Sequence, residues 1–160
     1  MKQRKMNRLA DFNYSQPGAY FITVCVKEKR CILSTIVGAD AYIGPYVRPT
    51  PIGEVVEKYL RTIPGVGAYV IMPNHVHMIL HISAETVTEG PMWASAPTDA
   101  MIPGLIRSWK GLVTKELGQS IWQRSYYDHV IRDAQDYEIK MRYIQENPAK
   151  WWEDRYYLEY

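Results

Sequence analysis

The chain has 160 residues, of which 47% are hydrophobic, and its 19 lysines and arginines nearly balance its 17 aspartates and glutamates. These proportions predict a globular domain with a core of its own and exclude an intrinsically disordered chain. No apolar run approaches the roughly 20 residues of a membrane span, and no apolar signal segment follows the basic N-terminus, so we expect a cytoplasmic protein with no membrane partner.

Two further features of the composition bear on function. Cys25 and Cys31 are too few for a disulfide framework and form no C-x-x-C pair, which argues against a cysteine-based zinc site. Basic groups are concentrated at the start of the chain, because residues 1–30 have a net charge of +5 and residues 31–160 a net charge of −3. Such a front end is typical either of a solvated tail or of a surface that meets a polyanion.

The predicted elements, taken along the chain, follow the order β-α-β-β-α-β-α. A Pro-Gly turn precedes a first strand at residues 19–26, which is rich in β-branched and aromatic residues. Glycines and prolines make residues 35–50 an irregular loop. A first helix, with apolar residues at helical spacing, starts at Pro51 and ends before Gly65.

The second half of the chain adds three strands and two helices. Pro73-Asn74 is a tight-turn signal, so the two strands that it joins should form an antiparallel hairpin. The last helix stops near Asn147, since a residue that precedes proline is poorly helical. Residues 84–101 have no clear period and predict a flexible connection. The strands are predicted at residues 68–72, 75–82 and 126–131, and the helices at residues 105–117 and 133–147.

This order of elements predicts the fold class. Four strands crossed by two helices indicate an α+β protein with a ferredoxin-like antiparallel sheet, as in RNA-recognition domains, open on one face and with an added C-terminal helix. We expect one domain over residues 1–160, with a basic arm at residues 1–17 and an aromatic tail at residues 149–160.

Two histidines on the predicted third strand are candidate metal ligands. Side chains two positions apart on a strand point to the same face, so His75 and His77 should lie side by side while Val76 points into the core. Neutral imidazoles in such a pair can bind one divalent cation. His81 is on the same face but about 13 Å farther along the strand. That distance favours a strand residue outside the site, and a zinc hydrolase that uses all three histidines is kept as an alternative.

Tyr143 and Asn147 form a second candidate pair, on the last helix. Residues four apart share a helical face, so the phenol and the amide should converge. Two imidazoles and one amide oxygen form an open coordination sphere with room for phosphate oxygens, and a tyrosine beside it is a candidate nucleophile. Core packing of Tyr143 and a simple helix end at Asn147 would explain the same residues.

Four segments of the chain together resemble one family. They are residues 14–21 (YSQPGAYF), 72–77 (MPNHVH), 122–129 (WQRSYYDH) and 143–148 (YIQENP). MPNHVH is similar to the histidine, hydrophobic residue, histidine (HUH) motif of the single-tyrosine transposases, and YIQENP is similar to a segment of their REP-associated relatives. The resemblance covers about residues 4–152, nearly the whole chain.

The resemblance implies a metal-dependent enzyme that cleaves and rejoins single-stranded DNA, usually near a DNA hairpin. Tyr143 matches the family's nucleophile, which forms a covalent 5′-phosphotyrosine link and frees a 3′-hydroxyl. His75 and His77, completed by Asn147, would hold Mg²⁺ or Mn²⁺. The family includes monomers and dimers, and the sequence does not decide between them.

A DNA partner would also give the basic residues a role, since phosphate neutralisation makes binding depend on salt. The candidate DNA-binding residues are Arg4, Lys5, Arg8, Lys27, Lys29, Arg30, Arg124 and Arg132. Tyr126, Tyr127 and Tyr137 compete with Tyr143 for the role of nucleophile. The alternative function is that of a noncatalytic nucleic-acid-binding protein that keeps the ferredoxin-like fold.

Overall fold

The computed structural model describes residues 18–38, 44–83 and 101–157, which form two sheets, three α-helices and two short 3-10 helices. The strands are β1 (Gly18–Cys25), β2 (Ser34–Val37), β3 (Tyr46–Pro49), β4 (Val66–Ile71), β5 (His75–Ile82) and β6 (Tyr127–Ile131). The helices are α1 (Pro51–Leu60), α2 (Met101–Leu117) and α3 (Ala134–Glu146), and the 3-10 helices are Lys27–Lys29 and Trp151–Glu153.

The main sheet has the strand order β4-β5-β1-β6, and each neighbouring pair is antiparallel. The central pair, β1 and β5, runs from Gly18 opposite Ile82 to Cys25 opposite His75. Within this sheet, the connection from β1 to β4 contains α1 and passes over β5, and the connection from β5 to β6 contains α2 and passes over β1. This topology confirms the predicted ferredoxin-like α+β fold.

Side-chain alternation along the central strands separates two layers. Val24 and Val76 point into a core that they share with α1 and α2. Phe21 points to the other face and packs in a second cluster with Ile144 of α3 and with Trp151. This second face was expected to be open, but α3 and the segment after it cover part of it because they bury their own apolar side chains there.

Residues 35–50 contain strands where an irregular loop was predicted. β2 and β3 pair antiparallel, from Ser34 opposite Pro49 to Val37 opposite Tyr46. The β-branched and aromatic residues of both segments favour strands. Proline is tolerated at the end of an edge strand. The glycines and prolines that suggested a loop lie at or beyond the ends of these strands.

Several predicted boundaries also move. The first helix ends at Leu60, and the second begins at Met101, four positions before its predicted start. The predicted flexible connection lies outside the described residues, apart from Met101, and so does the basic arm with Arg4, Lys5 and Arg8. Among the residues that the structure describes, no helix is both long and apolar enough to cross a membrane.

Gly53 is where α1 meets the backbone before β2, and its replacement tests this packing. A Cβ at Gly53 would lie 1.9 Å from the carbonyl oxygen of Leu33, and backbone cannot yield as a side chain can. We expect Gly53→Ala to lower the free energy of unfolding by about 1–3 kcal/mol, as overpacking does. Urea denaturation measures this change.

Gly111 of α2 is the matched control, since nothing lies within 4 Å of a Cβ built there. Gly111→Ala should raise the free energy of unfolding by about 0.5–1 kcal/mol, because alanine is the better helix former. A Gly53→Ala variant as stable as the unmodified protein would contradict the close approach of α1.

Candidate active site

His75 and His77 lie on β5, on the face toward α3. Both are buried, with 0% and 1% of their surface exposed. Strand pairing places Cys25 opposite His75 and Thr23 opposite His77. The two rings lie side by side, as their spacing predicted, with centroids 4.4 Å apart and Nε2 atoms 2.9 Å apart.

Asn74, in the turn before β5, fixes the position of the proton on His75. Its Nδ2 donates to the carbonyl oxygens of Tyr156, at 2.8 Å, and Lys29, at 3.3 Å. Because carbonyls only accept, Asn74 Oδ1 must face His75 Nδ1, 2.7 Å away, and that nitrogen carries the proton. His75 Nε2 is then unprotonated and has a free lone pair, which is the form of the nitrogen that binds a metal.

Both imidazoles are neutral at physiological pH. Burial lowers the pKa of His75 to about 3 and that of His77 well below its ordinary value, and the positive charge of Arg155 adds to both effects. Since His75 Nε2 has no proton, the short contact between the rings is a hydrogen bond donated by His77 Nε2. Thr23 Oγ1, 2.8 Å from His77 Nδ1, then donates to that nitrogen.

The lowered histidine pKa values predict how stability depends on pH in metal-free protein. Below pH 6.5 these two histidines become protonated in the unfolded chain. In the folded chain they stay neutral until the pH approaches their folded pKa, which is about 3 for His75. The free energy of unfolding should therefore fall as the pH is lowered from 6.5, by up to about 1.4 kcal/mol per pH unit for each histidine.

Urea denaturation in EDTA between pH 7 and pH 5 measures this slope. His75→Gln removes one of the two titrating groups and should flatten the slope. An equal slope in His75→Gln and the unmodified protein would contradict the assignment.

Asp154 brings a carboxylate to the histidine pair. His75, His77 and Asp154 each place a ligand atom within 4.8 Å of the others. Asp154 Oδ1 accepts from the Tyr156 N–H at 2.8 Å, whereas Oδ2 lies 3.7 Å from His75 Nε2 and is buried without a hydrogen-bond partner. Because His75 is neutral, this contact is not an ion pair.

These groups fit a divalent cation. Asp154 Oδ2 and Asn147 Oδ1 are both buried without hydrogen bonds, which is costly unless another group satisfies them. Burial also raises the pKa of Asp154, a penalty that a bound cation would remove. The donor set of two imidazoles and a carboxylate suits Mn²⁺ better than Mg²⁺, which prefers oxygen ligands throughout.

Tyr143 lies at the mouth of this site, on α3. Its ring centroid is 5.1 Å from that of His77, and 39% of the residue is exposed. Asn147 keeps helical backbone angles, so it continues the face of Tyr143 by one turn, as the spacing predicted. Burial and the charge of Asp154 raise the pKa of Tyr143, while a hydrogen bond with Asn147 and the charge of Arg155 oppose the rise.

The aromatic tail folds back onto the site. The ring of Tyr156 lies 4.5 Å from that of His75, and the guanidinium of Arg155 stacks on Tyr156. A cleft of about 400 Å³ opens here, lined by Tyr143, Glu146, Asn147, Lys150, Glu153, Asp154 and Arg155. Asp154, Arg155 and Tyr156 were missed from the sequence, because no spacing rule connects the tail to a distant strand.

Comparison with known proteins identifies homologues of the chain. No protein-family model matches it. An uncharacterised protein of Haemophilus influenzae is 30% identical over 98% of this chain and 94% of its own length. A REP-associated tyrosine transposase of Escherichia coli K12 is 26% identical over 86% of this chain and 70% of its own length. The chain is a homologue of the REP-associated tyrosine transposases. The resemblance indicated by the four sequence motifs is thereby confirmed, and at the family level the function is transposase-like.

A solved structure from this family shows the same fold. It is a REP-associated tyrosine transposase bound to a REP hairpin, with a TM-score of 0.57 and 22% sequence identity. The match covers 89% of this chain and 73% of that chain.

For this homologue of the tyrosine transposases, the structure separates the candidate tyrosines. Tyr126 packs against the core on the opposite side of the sheet. Tyr137 places its hydroxyl 3.3 Å from His81 Nε2, away from the histidine pair. Tyr127 contacts Arg155 at an exposed edge of the cleft. Among the described tyrosines, Tyr143 and Tyr156 are the two whose rings lie against His75 or His77.

His81 does not join the cation group. Among the described residues, the group whose ligand atoms lie close enough together to hold a metal ion consists of His75, His77 and Asp154. His81 is exposed and contacts Tyr137 instead. The predicted alternative of a site with three histidines is therefore not the arrangement that the structure forms.

The structure gathers some of the predicted DNA-binding residues and separates one. Lys27 N–H donates to Ile121 O, which brings the loop before β6, with Arg124, beside the Lys27–Lys29 helix. Arg132 lies just beyond the other end of β6, where Ile131 pairs with Ala19. Of the predicted residues that are described, Lys27, Arg30, Arg124 and Arg132 are exposed and Lys29 is half-buried.

Proposed function

We propose that the chain is a metal-dependent single-stranded DNA endonuclease and strand transferase that cleaves and rejoins DNA at hairpin-associated sites through a covalent 5′-phosphotyrosine on Tyr143. The observation that carries this proposal is the position of the Tyr143 ring, 5.1 Å from the ring of His77. His77 itself belongs to the buried group with His75 and Asp154. A nucleophile and a set of candidate cation ligands thus lie together.

The proposed reaction is a transesterification. The Tyr143 oxygen forms a bond to phosphorus, and the bond from phosphorus to the 3′ oxygen breaks. The phenol loses one proton and the departing 3′ oxygen gains one, so the products are a 5′-phosphotyrosine and a free 3′-hydroxyl. Because the enzyme link keeps the phosphodiester energy, the reverse reaction can join the 3′-hydroxyl of another strand without ATP.

His75, His77 and Asp154 would hold the metal ion, with Asn147 Oδ1 as a further oxygen ligand. When bound, Mn²⁺ or Mg²⁺ supplies Lewis-acid polarisation of a phosphate oxygen and helps to orient the phosphate. The charge of Asp154 raises the pKa of Tyr143, so neutralisation of this carboxylate favours the phenolate. Asn147 helps in the same direction because its hydrogen bond lowers the pKa of Tyr143.

The proposed partner is single-stranded DNA that carries a hairpin. A related transposase is bound to a REP hairpin, which supports this class of DNA. Lys27, Lys29, Arg30 and Arg124 lie on loops that meet beside the site, and Lys29 O accepts from Asn74, the neighbour of His75. We include the basic arm, with Arg4, Lys5 and Arg8, and also Arg132, in the proposed binding surface of a single domain over residues 1–160.

A cleavage assay tests this function. The protein is incubated with Mn²⁺ and a hairpin-bearing suicide oligonucleotide whose short 5′ fragment, which carries the free 3′-hydroxyl, is lost after cleavage, so that the strands cannot be rejoined. Digestion and mass spectrometry should find DNA on the peptide that contains Tyr143. Binding of several hairpin sequences without any adduct would favour the noncatalytic alternative, and DNA on another peptide would overturn Tyr143 as the nucleophile.

A further inference from the structure

Arg155 is held in the cleft by aromatic rings. Its guanidinium lies 4.7 Å from the ring centroid of Tyr156 and 5.3 Å from that of Tyr127, both close enough for cation–π attraction. It also donates to the Tyr156 hydroxyl. These contacts orient a long side chain without neutralising its charge.

The charge of Arg155 is directed at the candidate site. No carboxylate in the described ranges 18–38, 44–83 and 101–157 lies within 4.0 Å of its guanidinium. Its positive charge nevertheless opposes the rise that burial causes in the pKa of Tyr143. Arg155 and Tyr143 line the same cleft. Among the described residues, the cleft therefore contains a cation beside the nucleophile that forms no ion pair with a carboxylate.

Attack on a phosphodiester develops negative charge on the non-bridging oxygens, and a guanidinium can bind two such oxygens at once. We propose that Arg155 is a catalytic residue that binds the non-bridging oxygens of the phosphodiester attacked by Tyr143. This inference rests on the proposed function. It assigns to Arg155 a direct contact with the reacting phosphate, beside the cation ligands rather than among them.

The test compares Arg155→Ala with the unmodified protein in single-turnover adduct formation. Loss of a donor to a developing oxyanion costs about 100-fold or more in rate, and we expect a loss of this size on a natural phosphodiester. Affinity for the hairpin DNA should change by only a few-fold. Arg155→Lys, which keeps the charge without the planar fork, should fall between the two. Arg142→Ala is the matched control, since Arg142 is exposed on α3 and pairs with Glu138.

A methylphosphonate at the cleavage position distinguishes phosphate contact from a structural role, because it lacks the charged oxygen that Arg155 would bind. On this substrate Arg155→Ala and the unmodified protein should differ by only a few-fold. An equal loss on both substrates, or no loss on the phosphodiester, would overturn the proposal. If neither protein cleaves the methylphosphonate, chemical rescue is the second test. Added guanidinium ion should then raise the rate of adduct formation by Arg155→Ala on the phosphodiester. No increase in that rate would overturn the proposed contact between Arg155 and the phosphate.

The two proposals fail in different ways. If the unmodified protein forms no adduct with Tyr143, the proposed function is wrong. If the unmodified protein forms the adduct and Arg155→Ala forms it equally fast, the proposed function stands and the role of Arg155 is rejected.

Discussion

Tyr143→Phe should abolish the covalent protein–DNA adduct and leave the fold intact. The substitution removes one hydroxyl from a ring that is 39% exposed and packs edge-on against His77 and Phe21. Those ring contacts remain, so the melting temperature should hardly change. Without the attacking oxygen, adduct formation should fall at least about 1,000-fold, to the detection limit. Denaturing gel electrophoresis with a labelled suicide substrate measures the adduct, and circular dichroism measures the fold.

Tyr156→Phe is the matched control because, among the described tyrosines, Tyr156 is the other one whose ring lies against the histidine pair. This variant should keep the adduct, with any loss of rate attributable to the hydrogen bond that Tyr156 receives from Arg155. An adduct that survives in Tyr143→Phe and disappears in Tyr156→Phe would reassign the nucleophile to the tail.

Mn²⁺ should stabilise the protein, and the loss of His75 should remove that effect. A ligand that binds only the folded state at 100 times its dissociation constant stabilises by about 2.7 kcal/mol. Differential scanning calorimetry with Mn²⁺ and with EDTA gives this increment for each variant against its own metal-free form. His75→Ala should show no increment, even if its metal-free form is less stable than the unmodified protein.

Asp154→Asn tests whether the carboxylate is a ligand. It should keep the metal-free fold and show a smaller increment with Mn²⁺, since a neutral amide oxygen replaces a charged one. Asp136→Asn is the control, because Asp136 pairs with His129 outside the cation group. A full increment in His75→Ala would place the metal elsewhere, and a full increment in Asp154→Asn would leave the histidines and Asn147 as the ligands.

Local periodicity explains which parts of the site the sequence could predict. His75 and His77 share a face because strands alternate, and Tyr143 and Asn147 share a face because helices repeat every 3.6 residues. Each pair is defined by its own element, so the pattern is visible without knowledge of the fold. The order of elements then predicted the sheet that brings the two pairs together.

Residues that depend on long-range packing could not be predicted in this way. Asp154, Arg155 and Asn74 act through contacts between segments that are far apart along the chain, such as Asn74 with Tyr156, 82 positions later. The two-stranded sheet of β2 and β3 was not predicted, for a different reason. Its strands have only four residues each, and the flanking glycines and prolines outweighed their β-branched residues.

The hydroxyl of Thr23 gives the histidine pair two equally satisfied states. A hydroxyl can donate or accept, so Thr23 can donate to His77 Nδ1 while His77 Nε2 donates to His75, or accept from Nδ1 while both Nε2 lone pairs turn to a cation. The change between them moves one proton within the His77 ring and leaves neither imidazole nitrogen of His77 without a partner. Under the proposed function, a metal ion would therefore bind and leave without repacking of the centre of the sheet.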